Sequence, residues 1–197
     1  MKIIHISDVH CNDDAIKRLY EKEKDHDVMI ATGDFECLQT AELFSELFGD
    51  AISVSGNLDS VPIMKLLMKR GILIDGKVIE RKGLVIAGIG GIDTRTNIMT
   101  IENLLKTTKK IDILISHNPP YGILDMTSIG IRAGLSELVH IDKAFTPKVH
   151  LFGHIHESKG YIYKDKTHYV NPGPLMEGLY AVVVLKDSDV KIAMKSL

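Results

Sequence analysis

Seven residues of this chain carry side chains able to bind divalent metal ions and are spaced so that they could act together: Asp8, His10, Asp34, Asn57, His117, His154 and His156. They fall in five short clusters, Ser7-Asp8-Val9-His10, Gly33-Asp34, Gly56-Asn57, Ser116-His117-Asn118 and Gly153-His154-Ile155-His156. Carboxylate, amide and imidazole donors without a thiolate suit Mn²⁺, Fe²⁺, Ni²⁺ or Zn²⁺ better than Ca²⁺ or a structural zinc. Seven donors are too many for one four-coordinate ion. With Asp34 shared they divide into two shells of four, as in a two-metal centre with ions about 3.5–4 Å apart. Taken singly, Gly-Asp or Gly-Asn is ordinary turn chemistry. A lone histidine is an ordinary surface or hydrogen-bonded residue, and that reading is kept for His5, His26, His140, His150 and His168.

What singles out the seven is their position in the chain, because each cluster directly follows a predicted strand. Ile3–Ser7, Val28–Thr32, Ala51–Val54, Ile111–Ile115 and Val149–Phe152 are short apolar runs rich in β-branched residues. Helices are predicted between the first strands, over Asp14–Lys24, from a Thr40 cap to the Gly49 stop, and from Ser60-Val61-Pro62 to Arg70. That alternation is the sequence form of βαβ units, in which strand carboxyl ends gather at one edge of a sheet and ligands bind there. Spacing of i, i+2 puts Asp8 with His10, and His154 with His156, on the same side of an extended segment. Further on, Asp75-Gly76 and Lys82-Gly83 separate Ile72–Ile74, Val78–Arg81 and Leu84–Ala87 and predict an antiparallel middle built of tight hairpins. Helices are expected near Thr100–Lys110 and Ile131–Val139, and strands at Tyr161–Tyr163, His168–Val170, Tyr180–Leu185 and Val190–Met194.

At these residues the chain resembles the calcineurin-like metallophosphoesterase superfamily, whose motifs are D-x-H, G-D, G-N-H-[D/E], H and G-H-x-H. The likeness runs from Asp8 to His156. It implies an α/β fold, a four-layer α/β/β/α sandwich of two mixed sheets flanked by helices. It also implies that Asp8, His10, Asp34 and His156 hold one ion and Asp34, Asn57, His117 and His154 the other, with Mn²⁺ the first choice. His117, Asp34 and Asn57 are then the catalytic positions, and a hydroxide bridging the ions attacks phosphorus in line. One position departs from the pattern. Gly56-Asn57-Leu58-Asp59 has leucine where the family usually has the histidine that protonates the leaving group. A small prokaryotic, phosphodiesterase-like branch shares that departure, and Val170-Asn171-Pro172-Gly173 is similar to a turn of the same branch. The resemblance therefore implies a phosphodiesterase, with Asp59 or a metal-bound water as substitute acid. A non-catalytic scaffold of the same fold is the alternative.

Length and composition agree. The 197 residues fit one domain, and 45% hydrophobic with 25% charged residues argues against disorder. Lys and Arg number 24 against 26 Asp and Glu, so nucleic acid as a partner is not supported by charge. A small phosphoester, nucleotide-derived compounds included, is the expected substrate, and a homo-oligomer stays open. The uncharged run Gly83–Ile92 is half the roughly 20 residues of a membrane span, and the N-terminus has no signal-peptide pattern. Cys11 and Cys37 form no framework of disulfides and are read as packing residues in a reducing, cytoplasmic compartment. Gly88-Ile89-Gly90-Gly91 only weakly suggests a dinucleotide loop, since Asp93 stands where the third glycine belongs. Arg95 and Arg132 are read first as solvated surface, and Glu36, Asn118 and Asn171 as supports behind the ligands.

Overall fold

The computed structural model describes residues 1–105, 110–186 and 189–197. Its first sheet is built on β1 (Lys2–Ile6), β2 (Val28–Ala31) and β3 (Ile52–Ser53), which run parallel. They are connected by α1 (Asp13–Lys22) and α2 (Leu38–Leu47), and α3 (Val61–Lys69) follows. The second sheet takes β4 (Val78–Arg81), β5 (Leu84–Ile89), β6 (Ile113–Ser116), β7 (Val149–Leu151), β8 (Gly160–Lys164) and β9 (Thr167–Asn171) in the order β4-β5-β6-β7-β9-β8. The chain then returns to the first sheet with β10 (Leu179–Lys186) and β11 (Asp189–Ser196), giving β11-β10-β1-β2-β3. β10 is antiparallel to β1. The expected architecture of two mixed sheets flanked by helices is what the chain adopts.

Strands buried on both faces account for the β-branched runs. Ile3, Val28, Ile30 and Ile52 face Ile113, Ile115, Val149 and Leu151 in a dry layer between the sheets. Alternate residues Ile4, Ile6 and Met29 point outward against Ile16, Leu19, Phe44, Ile63 and Leu67 of the first three helices. On the other side, Ala87, Ile89 and Leu114 pack against α4 (Thr94–Leu105) and α5 (Ser136–Phe145) through Ile98, Ile101, Leu138 and Ile141.

Several expectations are corrected. The middle of the chain is not an antiparallel meander: β5, β6, β7 and β9 are parallel neighbours, and hairpins stand only at the sheet's two edges. Asp75-Gly76 makes no hairpin, because Leu73 bridges Ser53 and Asp75 bridges Gly88, both in parallel, so this segment ties one sheet to the other. α4 begins six residues before the predicted Thr100, since Ile98 and Ile101 are drawn onto the sheet; residues 106–109 of the predicted helix lie outside the described residues. α5 is displaced toward the C-terminus from Ile131–Val139. Ile131 is exposed in a loop, and Leu138, Ile141 and Phe145 form the packed stripe instead.

Cys11 and Cys37 are not packing residues but form a disulfide, their Cα atoms 5.1 Å apart. They are 26 residues apart in sequence, and only the parallel pairing of β1 with β2 brings their loops together. A bridged pair gives no sign of a reducing compartment. No helix among the described residues is long and apolar enough to cross a membrane.

Glu23, just past α1, fastens that helix to the sheet by accepting from Lys195 Nζ (2.7 Å), Tyr180 OH (2.9 Å) and Lys2 Nζ (3.1 Å). Burial alone would push its carboxyl up, but these three donors outweigh it and hold it at about 2. Because the folded value lies below the ordinary 4.5, the contribution is complete above that pH and is lost as pH falls toward 2. Glu23→Gln should therefore cost about 3 kcal/mol at pH 7 and close to nothing near pH 2. Urea unfolding at the two pH values checks this, and a gap that does not narrow in acid contradicts it.

Candidate metal centre

All five clusters lie where their strands end: Asp8 after β1, Asp34 after β2, Asn57 after β3, His117 after β6, and His154 and His156 after β7. Three come from one sheet and two from the other, so the site straddles the edge at which the sheets meet. The turns are tight and left-handed at non-glycine residues, with φ of 53° at Asp8, 44° at His10, 57° at Asp34 and 69° at His154. Such backbone costs about 1–3 kcal/mol per residue and persists only where the surroundings enforce it. The enforcement is visible. Gly33 (φ +94°) lies so close to Gly56 that a β-carbon on either would collide with the opposite loop.

The donors form two groups. Asp8, His10 and His156 offer atoms within 4.8 Å of one another, and so do Asp34, His117 and His154. Asn57 joins the second, its Oδ1 2.7 Å from His117 Nε2. Asp34 falls in the second group and not in the first.

His117 Nδ1 donates to the Thr32 carbonyl (2.7 Å), which turns Nε2 toward the other donors. That nitrogen faces Asn57 Oδ1, His154 Nδ1 at 3.1 Å and Asp34 Oδ2 at 3.4 Å. In the first group, His10 Nδ1 is held by Glu36 Oε2 (3.0 Å), and its Nε2 points at His156 Nε2, 3.4 Å away. Asp8 is 1% exposed, yet its Oδ1 makes no hydrogen bond; Oδ2 accepts from the His154 amide. Imidazole, amide and carboxylate donor atoms crowd together beside a buried carboxylate oxygen that has no hydrogen bond, so the residues fit divalent ions.

Asp8 and His154 are in charge states that suit a metal ligand, while His156 without an ion leans toward its protonated form. Burial would raise the Asp8 carboxyl, but His156 and His117 bring it down to about 2, so it is ionised. His154 is lowered by burial and by the neighbouring His117, which keeps it neutral and able to ligate. His156 is raised, chiefly by its contact with Asp8.

Behind the donors stand residues with other tasks. Asp59, expected as a substitute acid, is raised by burial and by Asp34 but is also engaged by backbone amides. Its carboxylate accepts the backbone N–H groups of Asp34, Phe35, Glu36 and Gly56 and so cross-links two ligand loops. Asn171 donates to the Ile155 carbonyl between His154 and His156, and Glu36 orients His10. Gly91 belongs to no dinucleotide loop: a β-carbon there would meet Asn57 N at 2.7 Å and His117 Cδ2 at 2.8 Å. Arg132 is paired with Asp125 at 2.7 Å.

One support carried no local signal in the sequence. Ser116 Oγ donates across His117 to the Asn118 carbonyl (2.6 Å) and meets His150 Nε2 (2.8 Å), whose Nδ1 contacts the Asp142 carboxylate (3.0 Å). This serine, histidine and aspartate are all buried, with Ser116 and His150 fully enclosed, so no substrate reaches the hydroxyl. The chain of bonds holds the His117 turn in place.

Fold and site together define a class, an α/β two-sheet protein with candidate His/Asp metal groups at the strand ends. The chain belongs to the calcineurin-like phosphoesterase superfamily, whose domain matches residues 1–186. An uncharacterized protein of Methanocaldococcus jannaschii is 29% identical over 95% of this chain and 96% of its own length. A UPF0046 protein of Caenorhabditis elegans, T07D4.2, is 34% identical over 54% of this chain, and the match spans only 29% of that longer protein. Among solved structures, the protein TT1561 of Thermus thermophilus superposes with a TM-score of 0.75 at 16% identity, covering 98% of this chain and 97% of its own. A structure described as a novel archaeal phosphodiesterase gives 0.64 at 18% identity, over 99% and 100% of the two chains.

Proposed function

We propose that this chain is a two-metal phosphodiesterase. Asp8, His10 and His156 would hold one ion, Asn57, His117 and His154 the other, and Asp34 both. The observation that carries this reading is the convergence of carboxylate, amide and imidazole donor atoms on two points at the strand ends. Two divalent ions, Mn²⁺ first among them, would supply charge against the phosphoryl oxygens and activate water for attack on phosphorus. The protein's part is to hold that arrangement rigid, which the Asp59 and His150 networks do, and to present His117 and Asn57 toward the phosphoryl group. Leu58 cannot protonate a leaving group, so esters with good leaving groups are the better substrates. The likeness to an archaeal phosphodiesterase supports the choice of a diester.

Elemental analysis after Mn²⁺ reconstitution, together with a panel of aryl phosphodiesters and monoesters, tests the proposal. Two ions per chain and faster turnover of diesters are expected. Fewer than one ion and no hydrolysis would favour the scaffold alternative, and faster monoester turnover would overturn the diester assignment.

A further inference from the structure

The disulfide lies at the metal centre. Cys11 directly follows His10, and Cys37 directly follows Glu36, the residue that orients His10. The two loops are zipped along their backbones by Asp8 N–H to Gly33 O (3.0 Å), Val9 and His10 N–H to Asp34 O (2.9 and 3.0 Å) and Cys11 N–H to Phe35 O (3.1 Å). Beyond that point the chains turn away into α1 and α2, which meet again where Thr40 Oγ1 donates to Asp13. The disulfide therefore closes the open end of the zipper, on the side of the first donor group. His10, Cys11 and Glu36 are all left-handed there, at φ 44°, 61° and 65°. Backbone of that kind relaxes when its enforcing contacts are removed.

The second donor group is held mainly by other contacts. His117 is fully buried and tied to Thr32, and Asp34 and Gly56 are gripped by Asp59. Cys11 is an exposed residue and Cys37 a half-buried one, so the bridge lies near the surface.

We propose that the Cys11–Cys37 bridge is a positioning clamp for His10 and a site of thiol–disulfide exchange, through which redox state sets metal affinity at the Asp8, His10 and His156 group. The inference rests on the metal-centre reading above. In the exchange, one thiolate of a dithiol reductant attacks Cys11 Sγ, the Sγ–Sγ bond breaks, and Cys37 leaves as a thiolate and takes up a proton. The second thiol of the reductant then attacks the mixed disulfide. The reductant departs as a cyclic disulfide and Cys11 as a thiol, so two electrons pass from the dithiol to the bridge. With the bridge open, His10 and Glu36 are free to leave their left-handed conformations. Weakening by about 10–100-fold is expected for the ion held by the first group, the size of effect seen when a group orienting a metal ligand is lost.

The test is a Mn²⁺ titration by calorimetry of the full chain in three forms: oxidised, reduced with a phosphine, and Cys11→Ser. Thiols are counted in parallel by alkylation and mass spectrometry. The oxidised chain should show no free thiol and two tightly bound ions. The reduced chain should show two thiols, one ion bound as before and the other about 10–100-fold weaker. Cys11→Ser, which cannot form the bridge and keeps one thiol, should bind Mn²⁺ as the reduced chain does, with or without reductant. Should that variant fail to fold, the reversible change in the wild-type chain still decides. Two free thiols after treatment with oxidised glutathione, or two ions bound identically in both redox states, would overturn this inference alone. A chain that binds no metal in any form would overturn the metal-centre reading and this inference with it.

Discussion

Asp34→Asn is expected to lower diester hydrolysis by about 10³-fold or more and to reduce the metal content, with the fold intact. Asparagine is isosteric. Its Oδ1 can still accept the Leu58 N–H that Asp34 holds at 2.8 Å, and the bond from the residue-34 amide to Asp59 is unaffected. What is lost is the negative charge proposed to serve both ions. In place of the second carboxylate oxygen, 3.4 Å from His117 Nε2, the variant presents an amide that donates into the lone pair intended for a metal. Steady-state kinetics with elemental analysis and a circular-dichroism melt make the measurement. Near-normal turnover with two ions bound would sink the bridging assignment.

Leu58→His should act in the opposite direction, and selectively. Leu58 is 49% exposed beside Asn57, so a larger polar side chain needs no repacking of the core. A histidine there could donate a proton to the departing oxygen, an effect worth about 10²-fold when the leaving group is a poor one such as an alkoxide. An aryl diester that leaves as a stabilised phenolate should change by less than about threefold. The gain should fade as pH rises through about 6.5, where the new imidazole gives up its proton. Equal gains on both esters, or none on the alkyl diester, would show that leaving-group protonation is not what limits this site.

Much of the centre was legible in the sequence because each of its parts is local. A β-branched run followed by Asp-x-His or His-x-His declares both a strand and the polar turn at its end, and the carboxyl ends of parallel strands must lie at one edge. All seven donors were placed on that reasoning, and the structure brings six of them into two triads with Asn57 against the second. The helix boundaries were less legible. α5 follows the stripe Leu138, Ile141 and Phe145, while the equally apolar Ile129 and Ile131 remain exposed in a loop, a choice made by the neighbouring sheet. The hairpin reading at Asp75-Gly76 failed for a similar reason: turn chemistry says that the chain bends, but not which strand waits on the far side.

By itself, then, the sequence determined the elements and the chemistry of the donor set, because periodicity and residue type are properties of a short stretch of chain. Only the tertiary structure decided which distant residues hold those donors in place. The Cys11–Cys37 bridge, the four amides gathered by Asp59 and the buried chain from Asp142 through His150 to Ser116 join segments brought together by packing. Neither a cysteine nor a buried histidine carries a local mark of its partner, since that partner is chosen by the pairing of strands and the packing of helices that enclose them.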